Sequence, residues 1–227
     1  MCGRFTLTTS PVAFASLFDG IEFPEVVPRY NIAPTQDVLT IRVADDGRQI
    51  APLMRWGLVP FWAKDLKIGA RMINARGETV AEKPSFRNAF KSRRCLIPLD
   101  GFYEWKRDGK EKWPHYITRS DDQPFFAAGL WEKWKPKEQP DADPIYSCTI
   151  ITTDANETMQ PLHDRMPVIL DQADFEMWTD PEFHERSTLE KLLAPCPAED
   201  LKTVAVSKTV NKATNEVPGC IVPLADG

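Results

Sequence analysis

Short alternating runs of apolar and polar residues dominate the chain. Turn residues break them every few positions, and they read as strands more often than as helices. "DVLTIRV", the turn "ADDG" and "RQIAPLMRW" form one predicted hairpin. "RCLIPL", "GFYEWK", the turn "RDGK" and "WPHYITR" supply further strands, with Asp108-Gly109 as the hairpin signal. "QPFFAAGLWEKW" is another apolar strand, and the polar, proline-containing loop "KPKEQPDADP" separates it from the strand "IYSCTIITT". Helical patterning is brief. Ser10 and Pro11 fit an N-cap and first helical position for "PVAFASLF", which stops at Asp19-Gly20. "ETVAEKPSFRNAF" is interrupted at Pro84, where the ring removes a backbone donor, so two short helices or a break are expected there. Further helices are expected near Asn156, at "QADFEMW" and at "STLEKLL".

Hairpins imply mostly antiparallel pairing. The expected fold is α+β: a single domain over residues 1–227, with a mostly antiparallel, distorted β-barrel-like sheet flanked by short helices. A chain of 227 residues is long enough for one sizeable core, and its length does not demand a second.

Composition narrows the class. No apolar run approaches the roughly 20 residues that cross a bilayer, and the start lacks the basic-then-apolar pattern of a signal peptide, so a cytoplasmic protein with no membrane partner is expected. The five cysteines, at 2, 95, 148, 196 and 220, are odd in number and widely spaced, which fits neither a disulfide framework nor a CxxC metal site. With only three histidines, no metal site is expected, and Cys95 and Cys148 read as core residues. The net charge of -5 argues against bulk electrostatic coating of nucleic acid. The charge is uneven, however: Lys67 to Arg94 holds eight Lys/Arg against two Glu, and Asp121 to Asp200 holds eighteen acids against six Lys/Arg. A basic patch on an acidic body suits a polyanion at one face, and a solvated helix face is the plainer reading of the same run.

Four segments place polar residues where a fold needs only apolar ones. Cys2 stands beside the initiator methionine; Asn74 and Arg76 alternate in "INARGET"; Glu104 lies between Tyr103 and Trp105 in "GFYEW"; His163 and Arg165 precede the apolar strand of "HDRMPVIL". Each has a structural explanation when taken singly: Asn74 as a helix cap, Glu104 facing solvent from an edge strand, His163 as a loop histidine. Together Cys, Asn, Glu and His are the inventory of a nucleophile with acid/base assistants. A carboxyl flanked by two aromatics is a candidate for a raised pKa, and His163 is suited to titrate near pH 7. Trp62 in "WGLVPFW" and Trp105 read as core or as stacking platforms for unpaired bases.

"MCGRF", "PRYNIAPTQ", "WGLVPFW", "INARGET", "SFRNAFKSRRCLIPLDGFYEW", "AAGLWE" and "HDRMPVIL", in that order over nearly the whole chain, resemble the SOS response-associated peptidase (SRAP) family. The resemblance implies a mixed α/β domain on a distorted barrel. It also implies a sensor of abasic sites in single-stranded DNA that crosslinks itself to the lesion through an N-terminal cysteine once Met1 has been removed. By the same resemblance Cys2 is the nucleophile, assisted by Asn74, Glu104 and His163. The DNA groove falls on Arg4, Pro34, Trp62, Arg76, Trp105 and Arg165. No cofactor is implied, a monomer is expected, and the protein would associate with the nucleoid when bound to damaged DNA. The chemistry has its own logic: an α-amine with pKa near ~8 attacks the open-chain aldehyde of an abasic sugar, and the thiol two atoms away closes a thiazolidine. An N-terminal-nucleophile or thiol (auto)peptidase or amidohydrolase uses the same inventory, and a DNA-binding module in which Cys2 is incidental is a third reading.

Overall fold

The computed structural model describes residues 2–18, 20–139 and 141–224; Met1, Asp19 and Pro140 of the expectations above lie outside them, as do residues 225–227 of the expected domain. The strands run β1 (Phe5–Leu7), β2 (Arg29–Ile32), β3 (Asp37–Leu39), β4 (Arg42–Val43), β5 (Gln49–Ile50), β6 (Leu53–Trp56) and β7 (Asn74–Arg76). Two short helices follow, α1 (Gly77–Val80) and α2 (Arg87–Ser92). Next come β8 (Arg94–Leu99), β9 (Gly101–Asp108), β10 (Glu111–Arg119), β11 (Phe125–Trp134), β12 (Ile145–Asp154), β13 (Arg165–Pro167) and β14 (Ile169–Leu170). Then come α3 (Phe175–Thr179), α4 (Arg186–Lys191) and β15 (Leu201–Ala205), followed by two 3-10 helices, Lys208–Asn211 and Pro218–Cys220.

The fold is α+β and sheet-rich, with one sheet ordered β15-β10-β9-β1-β2 and a larger one built on β14-β11-β12-β6-β3. Pairing is mostly antiparallel, but β12 takes β6 and β7 in parallel along one edge, which puts Asn74 opposite Ile150. The sheets do not close into the expected barrel-like form. At the β2 end, the backbone N–H groups of Tyr30 and Asn31 donate to the Glu216 carboxylate rather than to another strand. At the β15 end, the chain adds only an isolated bridge between Val206 and Pro223, and proline has no N–H with which to continue a ladder. Both edges are therefore blocked.

The apolar faces of the sheets share one large core that contains Phe5, Trp56, Leu96, Phe102, Ile150 and also Cys2, which is fully buried. β8 is buried along its whole length, as its unbroken "RCLIPL" pattern requires.

Several local expectations change. "PVAFASLF" forms a 3-10 helix, Pro11–Leu17, and Ser10 makes no side-chain cap bond. The segment after Asn156 forms turns instead of a helix: the Asn156 side chain accepts from the Met159 N–H, a local bond that competes with helix continuation. The break at Pro84 separates α1 from α2 as expected. The turn in "RDGK" is displaced by one residue: Gly109 and Lys110 form its centre, with Gly109 at φ +58, so Asp108 faces Glu111 and Arg107 faces Lys112. The basic run from Lys67 to Arg94 does not form one solvated face. Its last guanidinium, Arg94, is buried and donates to the carbonyls of Phe90, Lys91 and Trp178, and burial lowers its pKa to about 10.

Candidate functional site

Cys2 immediately precedes β1, so the ladder that fixes β1 also fixes the cysteine. Phe5 lies opposite Phe102 of β9, and the Tyr103 N–H donates to the Arg4 carbonyl at 2.9 Å, which continues the pairing toward the amino-terminal end. That register carries Glu104 alongside the segment that begins at Cys2. From the other sheet, β7 delivers Asn74, whose Nδ2 donates to the Cys2 carbonyl at 2.8 Å. Two sheets thus meet at one residue. The Asn74 Oδ1 is buried and accepts no hydrogen bond from any described residue, so one acceptor beside Cys2 is available to a bound group.

The electrostatics are set by burial. Glu104 is only 4% exposed, and loss of solvation raises its carboxyl from an ordinary 4.5 to about 7. The Cys2 thiol is pushed well above its ordinary value, first by burial and then by the Glu104 charge. His163 moves the other way: burial is the largest cause lowering its pKa, and the Asp164 carboxylate opposes that. Its Nδ1 lies between the Arg165 backbone N–H at 3.0 Å and the Asp164 Oδ1 at 2.6 Å, the carboxylate that opposes the effect of burial.

Glu104 and His163 line one open cleft of about 460 Å³ together with Trp105, Arg107, Lys112 and Asn211. Trp105 donates from its Nε1 to Asn211 Oδ1 at 2.7 Å, and the Arg4 guanidinium lies over its ring, 5.9 Å from the centroid. Arg4 is itself engaged: Nη1 donates to Asn31 Oδ1 at 2.7 Å and to the Val210 carbonyl at 3.0 Å.

The other groove residues are more dispersed. Trp62 is 41% exposed beside Phe61 at 54%, which leaves an aromatic surface open to solvent. Arg76 is exposed at the end of β7, two residues beyond Asn74 and on the same face by strand alternation. Pro34 occupies a tight turn in which Thr35 adopts φ 74, in the left-handed region. Arg165 is 7% exposed; its guanidinium bridges Glu78 at 2.6 and 2.9 Å, Asp154 at 2.7 Å and the Thr152 carbonyl at 2.7 Å. It thereby fixes the segment that carries His163.

Sequence reasoning missed Arg107, Lys112 and Asn211 in the cleft and Asn31 and Glu216 behind it. The first two were legible as a basic hairpin once its turn was set in the right register. Nothing local marks Asn211 or Glu216, which reach the site from the far end of the chain.

The model of the family described as SOS response associated peptidase (SRAP) matches residues 1–213. "Abasic site processing protein YoqW" of Bacillus subtilis (strain 168) is 46% identical over 225 residues, which cover 97% of this chain and 99% of that one. "Abasic site processing protein HMCES" of Xenopus tropicalis is 30% identical over 267 residues, covering 99% of this chain and 78% of that one. Among solved structures, a Bacteroides thetaiotaomicron protein superposes with TM-score 0.87 at 26% identity, covering 99% of this chain and 100% of that one. The fold, the length matched and these relatives agree, and the chain belongs to the SOS response associated peptidase (SRAP) family.

Proposed function

We propose that this protein processes abasic sites in single-stranded DNA by joining its own Cys2 to the damaged sugar. The observation that carries the reading is the convergence on Cys2. Asn74 from one sheet bonds its carbonyl, and Glu104 from the other stands by with a carboxyl raised to about 7, at an open cleft shared with His163. The names of the relatives support the same substrate.

The sequence of steps follows from the groups present. Removal of Met1 frees the Cys2 α-amine, which adds to the sugar aldehyde to give a carbinolamine. Glu104, close to half protonated at neutral pH, donates a proton to the departing hydroxyl, and water leaves as the imine forms. The thiol then adds to the imine carbon and its proton passes to the imine nitrogen, closing the five-membered thiazolidine. The balance is aldehyde plus aminothiol giving thiazolidine plus one water. Asn74 orients the Cys2 backbone, and neutral His163 relays protons across the cleft, in the forward direction or in reversal. β-Elimination from the imine is the accompanying lyase reaction.

A thiol-peptidase mechanism is less well supported by the same geometry. A nucleophilic thiolate needs a lowered pKa, and here burial and Glu104 both raise it. Amine attack first, thiol closure second, uses the cysteine as it is held.

The test is intact mass of protein lacking Met1 after mixing with an abasic single-stranded oligonucleotide at neutral pH. The expected product is the sum of the two masses less one water, surviving denaturation. Cys2→Ser should give an adduct only when borohydride traps the imine. A wild-type protein that forms no denaturation-resistant adduct refutes the reading.

A further inference from the structure

The β9-β10 hairpin has a feature that its own stability does not explain. Arg107 and Lys112 lie directly opposite each other in the ladder, where side chains come within about 5 Å and like charges repel. Both are exposed, and neither side chain makes a hydrogen bond or ion pair with any described residue. No acid among the described residues forms an ion pair with either. Glu111 alternates to the other face and pairs with Lys208 Nζ at 2.7 Å, Asp108 faces Glu111, Asp164 holds His163 Nδ1 at 2.6 Å, and Glu104, raised to about 7, is only about half charged at neutral pH. Both cations line the cleft that contains Glu104 and His163. Arg107 is also among the charges that lower the His163 pKa, so its field reaches the imidazole. On the same strand, two residues before Arg107, Trp105 presents its ring on the same face.

We propose that Arg107 and Lys112 form a phosphate subsite of this cleft, taking a phosphodiester of the strand that carries the reacting sugar. The inference rests on the abasic-DNA reading and deepens it by naming a contact that holds the strand. Two cations from facing strands accept an anion between them, which turns a repulsive pair into a cooperative one. Such a contact positions the strand without reading base sequence.

The experiment measures equilibrium binding of a single-stranded oligonucleotide carrying a tetrahydrofuran abasic analogue, which has no aldehyde and forms no covalent bond. Failure of the Cys2 chemistry would leave this measurement intact. The affinity of wild type, Arg107→Gln/Lys112→Gln and a charge-matched control on other surfaces, Lys137→Gln/Lys191→Gln, is followed from 50 to 200 mM salt. Each phosphate contact on a single strand contributes about 0.7 to the slope of log K against log salt. The Arg107/Lys112 variant should therefore have a slope shallower by about 0.7, which narrows its deficit to wild type about 2.6-fold over that range. The control should keep the wild-type slope, and the charge-retaining Arg107→Lys/Lys112→Arg should keep it as well. An unchanged slope in the Arg107/Lys112 variant, or an equal change in the control, overturns the subsite.

Discussion

Replacing Glu104 with glutamine removes one titration from the interior and leaves the shape almost unaltered. The folded protein holds the Glu104 proton more tightly than the unfolded chain does, about 7 against 4.5. Stability from this group is fully present below pH 4.5, is lost as pH rises between 4.5 and about 7, and stays at its reduced level above that. At about 1.36 kcal/mol per pH unit, the gap amounts to about 3 kcal/mol. Glutamine carries no such penalty, so relative to wild type the variant gains about 3 kcal/mol on going from pH 4.5 to pH 8. Urea unfolding of both proteins at half-unit pH intervals checks this, because groups common to both cancel in the difference. Adduct formation should fall by about 10²- to 10⁴-fold in the same variant, the usual worth of a positioned proton donor. A stability difference flat across pH 4.5 to 8 would refute the claim that burial, and with it the availability of a proton near neutrality, governs Glu104. A stabilised but inactive variant is the signature expected of a site kept strained for chemistry.

Two further outcomes follow from the packing. Gly57 adopts φ +126, and a Cβ there would stand 2.6 Å from the Gly69 carbonyl oxygen, so Gly57→Ala adds backbone strain to a steric clash. The expected cost is about 2–5 kcal/mol, read as a fall in Tm of roughly 5–15 °C; a change within about 2 °C would contradict it. Asn31 is buried and ties β2 to the 207–216 segment, donating from Nδ2 to the carbonyls of Val210, Lys212 and Asn215 while Oδ1 accepts from Arg4. Asn31→Ala should destabilise by about 2–4 kcal/mol and speed proteolysis within 207–216, loosening the Asn211 bond that holds Trp105. Unchanged cleavage there would show that the segment is held by other contacts.

The residues on which the proposed chemistry rests stand in segments whose composition a core does not require. "MCGRF", "INARGET", "GFYEW" and "HDRMPVIL" each combine an apolar strand pattern with a residue able to attack, orient or carry a proton. Helix lengths were readable where proline or glycine enforced them, as at Pro84. The hairpin after Glu104 was readable in kind and wrong by one residue, because "RDGK" permits two turns and only the pairing of β9 with β10 selects one. The helix expected after Asn156 failed for a similar reason: the asparagine side chain takes a local backbone bond that periodicity does not record.

By itself, the sequence determined the class of fold, most of the strands and the identity of the groups at Cys2, Asn74, Glu104 and His163, since these depend on local pattern and intrinsic chemistry. The tertiary structure alone decided which of those groups meet and in what state. Contact between Asn74 and Cys2 needs β7 to pair in parallel with β12, far from β1 in sequence. The raised carboxyl of Glu104 needs neighbours that exclude water, and solvation is a property of three-dimensional packing. Arg165, as plausible a phosphate ligand as any arginine in the sequence, is committed to Glu78 and Asp154, while Arg107 and Lys112 are left facing each other in the cleft. Which cations are free is fixed by where the carboxylates fall, and that is settled only when the chain has folded.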